Sequence, residues 1–90
     1  MPQSEAQEIQ PEELGARLSR IRLPVKEMAR RVKCDQSTIT SYTRGLRQMS
    51  ERLQRDVSAA LAREELDLLA HLVSVHPEQA AALVPSARAA

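Results

Sequence analysis

Gln36, Ser37 and Ser41 place an amide and two hydroxyls on the side of a short segment opposite Ile39 and Tyr42, with Thr38 and Thr40 flanking them. A glutamine amide donates and accepts at once, as adenine N6 and N7 require, and hydroxyls bond to several bases or to phosphate. Such groups reach base edges when they occupy the first turn of a helix, and the turn after it, in the major groove of B-form DNA. Gln36, Ser37, Thr38 and Ser41 are therefore the candidate base-reading residues, with Gln36 foremost. Lys26, Arg30, Lys33, Thr40, Arg44 and Arg47 surround them. These are candidates for phosphate contacts, which fix orientation and supply salt-dependent affinity without specifying sequence. A solvated polar face with no ligand is the plainer reading, and the density of arginine nearby weighs against it.

The elements that must position these groups lie between Leu23 and Gly45. Pro24 suits the first position of a helix, and Val25, Met28, Ala29 and Val32 follow at helical spacing. Asp35 offers a carboxylate to the free backbone N–H groups of a second helix, Gln36 to Thr43, whose inner side is Ile39 and Tyr42. Only Lys33, Cys34 and Asp35 remain to turn the corner, so the two helices must pack at a steep angle, a helix-turn-helix pattern. Gly45 is free to close the second helix in a left-handed conformation.

The flanking chain reads as support. Residues 1–10 form a flexible acidic tail, and Pro11, Glu12 and Glu13 announce a helix with a stripe of Leu14, Leu18 and Ile21. Gly15 within it is either a weak spot or a point of close approach. Ser50 is a helix N-cap before Leu53, Val57, Ala60 and Leu61. Whether that helix continues to about Val75 or bends near Arg63 is open, because no glycine or proline marks a stop. The run from Leu66 to Val75 is apolar on more than one side, too much for a surface helix of a small monomer. Pro77 starts a last short helix. The expected organisation is a tail at 1–10, a DNA-binding domain at 11–62, a helical dimerisation region at 63–84 and a frayed end at 85–90. Leu66, Leu69, Leu72, Val73, Leu83 and Val84 are the expected dimer interface.

Charge is segregated along the chain. The net charge is +1, but residues 14–63 carry twelve arginine or lysine against four acids, while both flanks are acidic. A polyanion partner follows. The chain has one aromatic residue, Tyr42, and no sustained period-two alternation, so an all-α domain with an aliphatic core is expected. Arginine outnumbers lysine eleven to two, a bias suited to a GC-rich bacterial or mobile-element genome. Cys34 is alone, and His71 and His76 are five apart, a poor metal pair on a helix; no metal or other cofactor is expected. Packing as a small hydrophobe is the expectation for Cys34. No phosphate loop, nucleophile with its base or paired carboxylates points to an enzyme. No secretion signal or membrane span is evident, and a cytoplasmic protein is expected. The rival to DNA binding is a protein-interaction module of the antitoxin or anti-activator kind, engaging another protein through its helices.

Residues 23–45 resemble the helix-turn-helix of the Cro and C1 phage-repressor-like (XRE) family of transcriptional regulators, without a gap across the segment. Ala29 matches the alanine of the first helix; Met28, Val32, Cys34, Ile39 and Tyr42 fill the apolar positions; Gly45 is the closing glycine. The likeness extends more loosely over residues 14–61. It implies a five- to six-helix lambda-repressor-like domain, docking on double-stranded DNA as a homodimer at a palindromic operator. Gln36, Ser37 and Ser41 match the family's base-contacting positions. Without a sensing or activation domain, repression by occupying the operator is the simplest mechanism.

Three residues depart from the pattern. Lys33 replaces the corner glycine, which predicts a left-handed lysine carrying about 1 kcal/mol of strain. Val25 replaces a glutamine that touches phosphate, leaving Lys26 to take that contact. Thr43 replaces a glutamate that pairs with an arginine of the first helix.

Overall fold

The computed structural model describes residues 8–83, and all regular structure among them is helical: α1 Pro11–Arg20, α2 Val25–Val32, α3 Gln36–Thr43, α4 Glu51–Val75 and α5 Pro77–Leu83. The starts follow from side-chain chemistry only in part. Pro11 opens α1 and Ser50 caps α4, its Oγ accepting from the Leu53 N–H at 3.1 Å. Pro24 is the residue before α2 rather than its first, because a φ of −64° with extended ψ serves a cap as well as a first turn; its carbonyl accepts from Glu27 and Met28. Asp35 caps α3 through its backbone carbonyl, which accepts from Thr38 at 3.0 Å, and its exposed carboxylate takes no helix N–H.

The first three helices end alike. Each stops in a Schellman turn with one left-handed residue: Arg22 (φ 59°), Lys33 (φ 60°) and Gly45 (φ 75°). Paired backbone bonds close the turns, Arg22 to Ser19 with Leu23 to Leu18, Lys33 to Arg30 with Cys34 to Ala29, and Gly45 to Tyr42 with Leu46 to Ser41. The left-handed lysine expected from the sequence is present. The left-handed arginine is a second strained position that no glycine substitution signals.

One apolar core joins these elements. Leu14 and Leu18 of α1, Met28, Ala29 and Val32 of α2, Ile39 and Tyr42 of α3, and Leu53, Val57 and Leu61 of α4 are buried together. At about 1.5–3 kcal/mol for each fully buried large aliphatic side chain, this packing decides where the short α2 and α3 sit. Met49 joins the core from the connection before α4, and Ile9 joins it from the chain ahead of α1. The expectation of a flexible tail to residue 10 is corrected at Ile9, which is only 5% exposed and whose carbonyl accepts from the Tyr42 hydroxyl; residues 1–7 of that tail lie outside the described residues. Gly15 is not a point of forced contact, since a Cβ there would stand 3.9 Å from the Thr43 Cβ, an ordinary separation.

α4 is continuous over 25 residues, so the expected boundary between residues 62 and 63 falls inside one helix. Its first half is a wall of the core, and its second half leaves the core. Leu61 is fully buried, whereas Leu66, Leu68, Leu69, Leu72, Val73 and Val75 are exposed. α5 follows α4 after His76 and contacts it without burying any of its own residues.

Two neighbouring glutamates tie α4 to the head at the point of departure. Glu65 receives a bidentate grip from Arg17 of α1, at 2.8 Å from Nε and 2.6 Å from Nη2, and Arg17 also reaches Glu13. Glu64 receives Nη1 of Arg31 from α2, while Nε of Arg31 bonds to Glu27 at 3.2 Å. The hydrogen bonds from Arg17 hold the Glu65 carboxyl below the usual carboxylate range, and the same contact raises the Arg17 guanidinium. Arg17 of α1 thus finds its carboxylates on α1 and α4.

Candidate nucleic-acid interface

α3 presents its polar side because its apolar side is committed. Ile39 is fully buried and Tyr42 nearly so, and Tyr42 is anchored at both ends of its hydroxyl, donating to Ile9 and accepting from Gln54 Nε2 at 2.9 Å. This sets the helix's rotation about its axis. Gln36 and Ser37, at the first turn, are exposed; Thr38, Thr40 and Ser41 are half-buried. The exposed polar face is therefore concentrated at the N-terminal end of α3, with Ser41 and Thr38 at its edge. Thr40 offers less: its carbonyl accepts from the Thr43 hydroxyl at 2.8 Å, and its side chain is partly covered.

The cations around α3 fall into two groups. Lys26, Lys33, Arg44 and Arg47 are exposed and form no ion pair among the described residues. Lys33 stands in the corner itself, and Arg44 follows α3 directly. Arg30, in contrast, is engaged: its guanidinium bonds to Glu27 from both Nε and Nη2. Glu27 is shared between Arg30 and Arg31, and their hydrogen bonds hold its carboxyl below the usual range. Arg30 reaches a phosphate only by leaving that carboxylate.

Cys34 is half-buried behind the corner, packed against the core, with its thiol 3.5 Å from the Asp35 carbonyl. Burial, and secondly the Asp35 carboxylate, push its thiol up.

The expected dimer residues are also displayed. Leu66, Leu69, Leu72, Val73 and Leu83 are exposed on the second half of α4 and on α5; Val84 lies outside the described residues. Leu68 and Val75 belong to the same apolar surface, which wraps more than one side of the helix. None of the described helices is long and apolar enough to cross a membrane.

Three residues important to this arrangement carry no motif signal: Ile9, which braces Tyr42, and Glu64 and Glu65, which brace α4. Ile9 is an isolated apolar residue in a polar stretch, and the partners of the two glutamates lie 33 and 48 residues away. Compared with protein-family models, with curated proteins and with solved structures, the chain matches none.

Proposed function

We propose that the chain is a sequence-specific, double-stranded DNA-binding regulator of transcription with a lambda-repressor-like arrangement of its helices, a repressor that binds a palindromic operator as a homodimer. The observation that carries the reading is α3: braced from behind by Tyr42, it offers Gln36 and Ser37 outward, while Lys26, Lys33, Arg44 and Arg47, on α2, in the corner and after α3, are exposed and form no ion pair among the described residues. An amide and a hydroxyl at the first turn suit base edges in the major groove, and the cations suit the phosphates on either side. The exposed apolar surface from Leu66 to Leu83 supplies the association that places two such heads on one duplex.

Selection of bound sites from random duplex DNA tests this. A shared half-site repeated with two-fold symmetry is expected, with centres about 34 Å apart or a multiple of it. Light scattering should give a mass near twice 10.0 kDa.

That same apolar surface also favours a second reading, a module that engages another protein. Salt separates the two: DNA affinity falls steeply as counterions are released, whereas an apolar protein contact hardly responds.

A further inference from the structure

We propose that Glu64 and Glu65 fix the spacing at which a dimer of this chain reads its two half-sites, by clamping the α4 arm to the reading head. The inference rests on the DNA-binding homodimer reading. α4 is the only described helix that belongs to both the core and the exposed apolar arm, and no glycine or proline interrupts it from Glu51 to Val75. The direction in which it leaves the core therefore sets where the second head lies.

The geometry is that of a lever. From Leu61, the last fully buried residue, to Val75 the arm extends roughly 21 Å at about 1.5 Å per residue. A tilt of about 10° at its base moves the tip by roughly 4 Å, more than the rise of one base pair, about 3.4 Å. Reading a spacing to a single base pair requires that tilt to be suppressed at the base.

Glu64 and Glu65 stand there, three and four residues beyond Leu61. Being adjacent on a helix, they leave its axis about 100° apart. Each is held by a different helix, Glu64 by Arg31 of α2 and Glu65 by Arg17 of α1. Two restraints in two directions oppose rocking of the arm in either plane. The Arg17 grip is bidentate, so it restricts rotation as well as distance. Arg31 is in turn held by Glu27 from within α2, the helix that leads into the corner. The clamps thus run from the arm to the two helices that precede α3. Neither glutamate is a base- or phosphate-contacting group; both are positioning residues.

The test is selection from a duplex library in which two copies of the preferred half-site are separated by spacers of every length over one helical turn. The native chain is expected to enrich one spacing over its one-base-pair neighbours by roughly tenfold. Glu64→Gln with Glu65→Gln should spread the enrichment over neighbouring spacings while base preference within each half-site stays the same. The single variants serve if the double variant does not fold. Exchanging the Arg17 and Glu65 charges, Arg17→Glu with Glu65→Arg, should restore a narrow spacing relative to Glu65→Gln. A native chain that accepts several spacings equally, or variants that keep a single spacing, would overturn the inference and leave DNA binding standing. Recovery of isolated half-sites alone does the same. Failure to select any DNA overturns the DNA-binding reading and this inference with it.

Discussion

Tyr42 on α3 donates its hydroxyl proton to the backbone carbonyl of Ile9, a residue 33 positions earlier that lies ahead of the first helix. The same hydroxyl accepts from Gln54 Nε2 of α4, so one oxygen joins three separate parts of the chain. Gln54 Oε1 is buried with no partner among the described residues, which leaves the amide dependent on that single bond. Tyr42→Phe should cost about 1–3 kcal/mol, because it orphans a buried carbonyl and the Gln54 amide together. In urea denaturation, the double variant Tyr42→Phe with Gln54→Leu should lose less than the two single losses combined. Additive losses would show that the two side chains act independently.

The left-handed residues give a stability prediction of known sign. At Arg22, glycine relieves the Cβ clash but adds freedom to the unfolded chain, for a net gain of about 0.5–1 kcal/mol. Arg22→Gly should raise the melting temperature by a few degrees. Lys33→Gly should do the same while weakening DNA binding through the lost cation. Gly45→Ala should lower stability by about 1 kcal/mol, since no atom crowds a Cβ there and only the backbone conformation is strained.

Gly15→Ala should stabilise by up to about 1 kcal/mol, the helix-propensity difference, because the added methyl meets Thr43 at ordinary contact distance. Destabilisation on thermal unfolding would mean that α1 and α3 pack more closely than this separation allows.

Acid should loosen the molecule at its clamps. The Glu65 carboxyl sits below its unfolded value, chiefly through hydrogen bonds from Arg17. A lowered carboxyl contributes stability that is complete above the unfolded pKa, about 4.3, and is lost as pH falls through the lower folded value. Glu27 has the same sign through Arg30 and then Arg31. Urea midpoints measured between pH 7 and pH 3 should therefore fall at the acid end, and the fall should be shallower in Glu65→Gln.

On DNA, Gln36→Ala should cost about 1–3 kcal/mol at one base position in each half-site. Arg44→Ala should weaken binding to all sequences alike and flatten the salt dependence by about one unit. Competition binding against single-base variants of the selected site distinguishes the two; unchanged preference at every base would remove Gln36 as a reader.

The helical class, the corner at Lys33 to Asp35, the cap at Ser50 and the close at Gly45 were legible because each depends on residues a few positions apart. The turn at Arg22 was not, since its left-handed conformation belongs to a turn closed by backbone bonds alone and no glycine announces it. Asp35 shows the reverse failure: the residue type suits a cap, but a solvated carboxylate left the bond to its carbonyl. Ile9, Gln54, Glu64 and Glu65 find their partners across the chain, and short-range pattern holds no information about those distances. Continuity of α4 was undecidable from an absence of stop signals; burial of Leu61 and the two ion pairs beyond it give the helix support where a bend was open. The polar face of α3 itself was visible, yet its narrowing to Gln36 and Ser37 depends on a rotation of α3 set by Tyr42.

Because α4 is nucleated inside the core, its projecting half is already helical before any partner arrives. An isolated segment of ten residues would spend most of its time as coil, since the first helical turn is unfavourable and short helices do not recover that cost. Here the ordered turns from Glu51 to Leu61 act as the nucleus, and each later residue adds only a propagation step. A partner docking on Leu66, Leu69 and Val73 would meet a preformed surface, with little backbone entropy left to lose on binding.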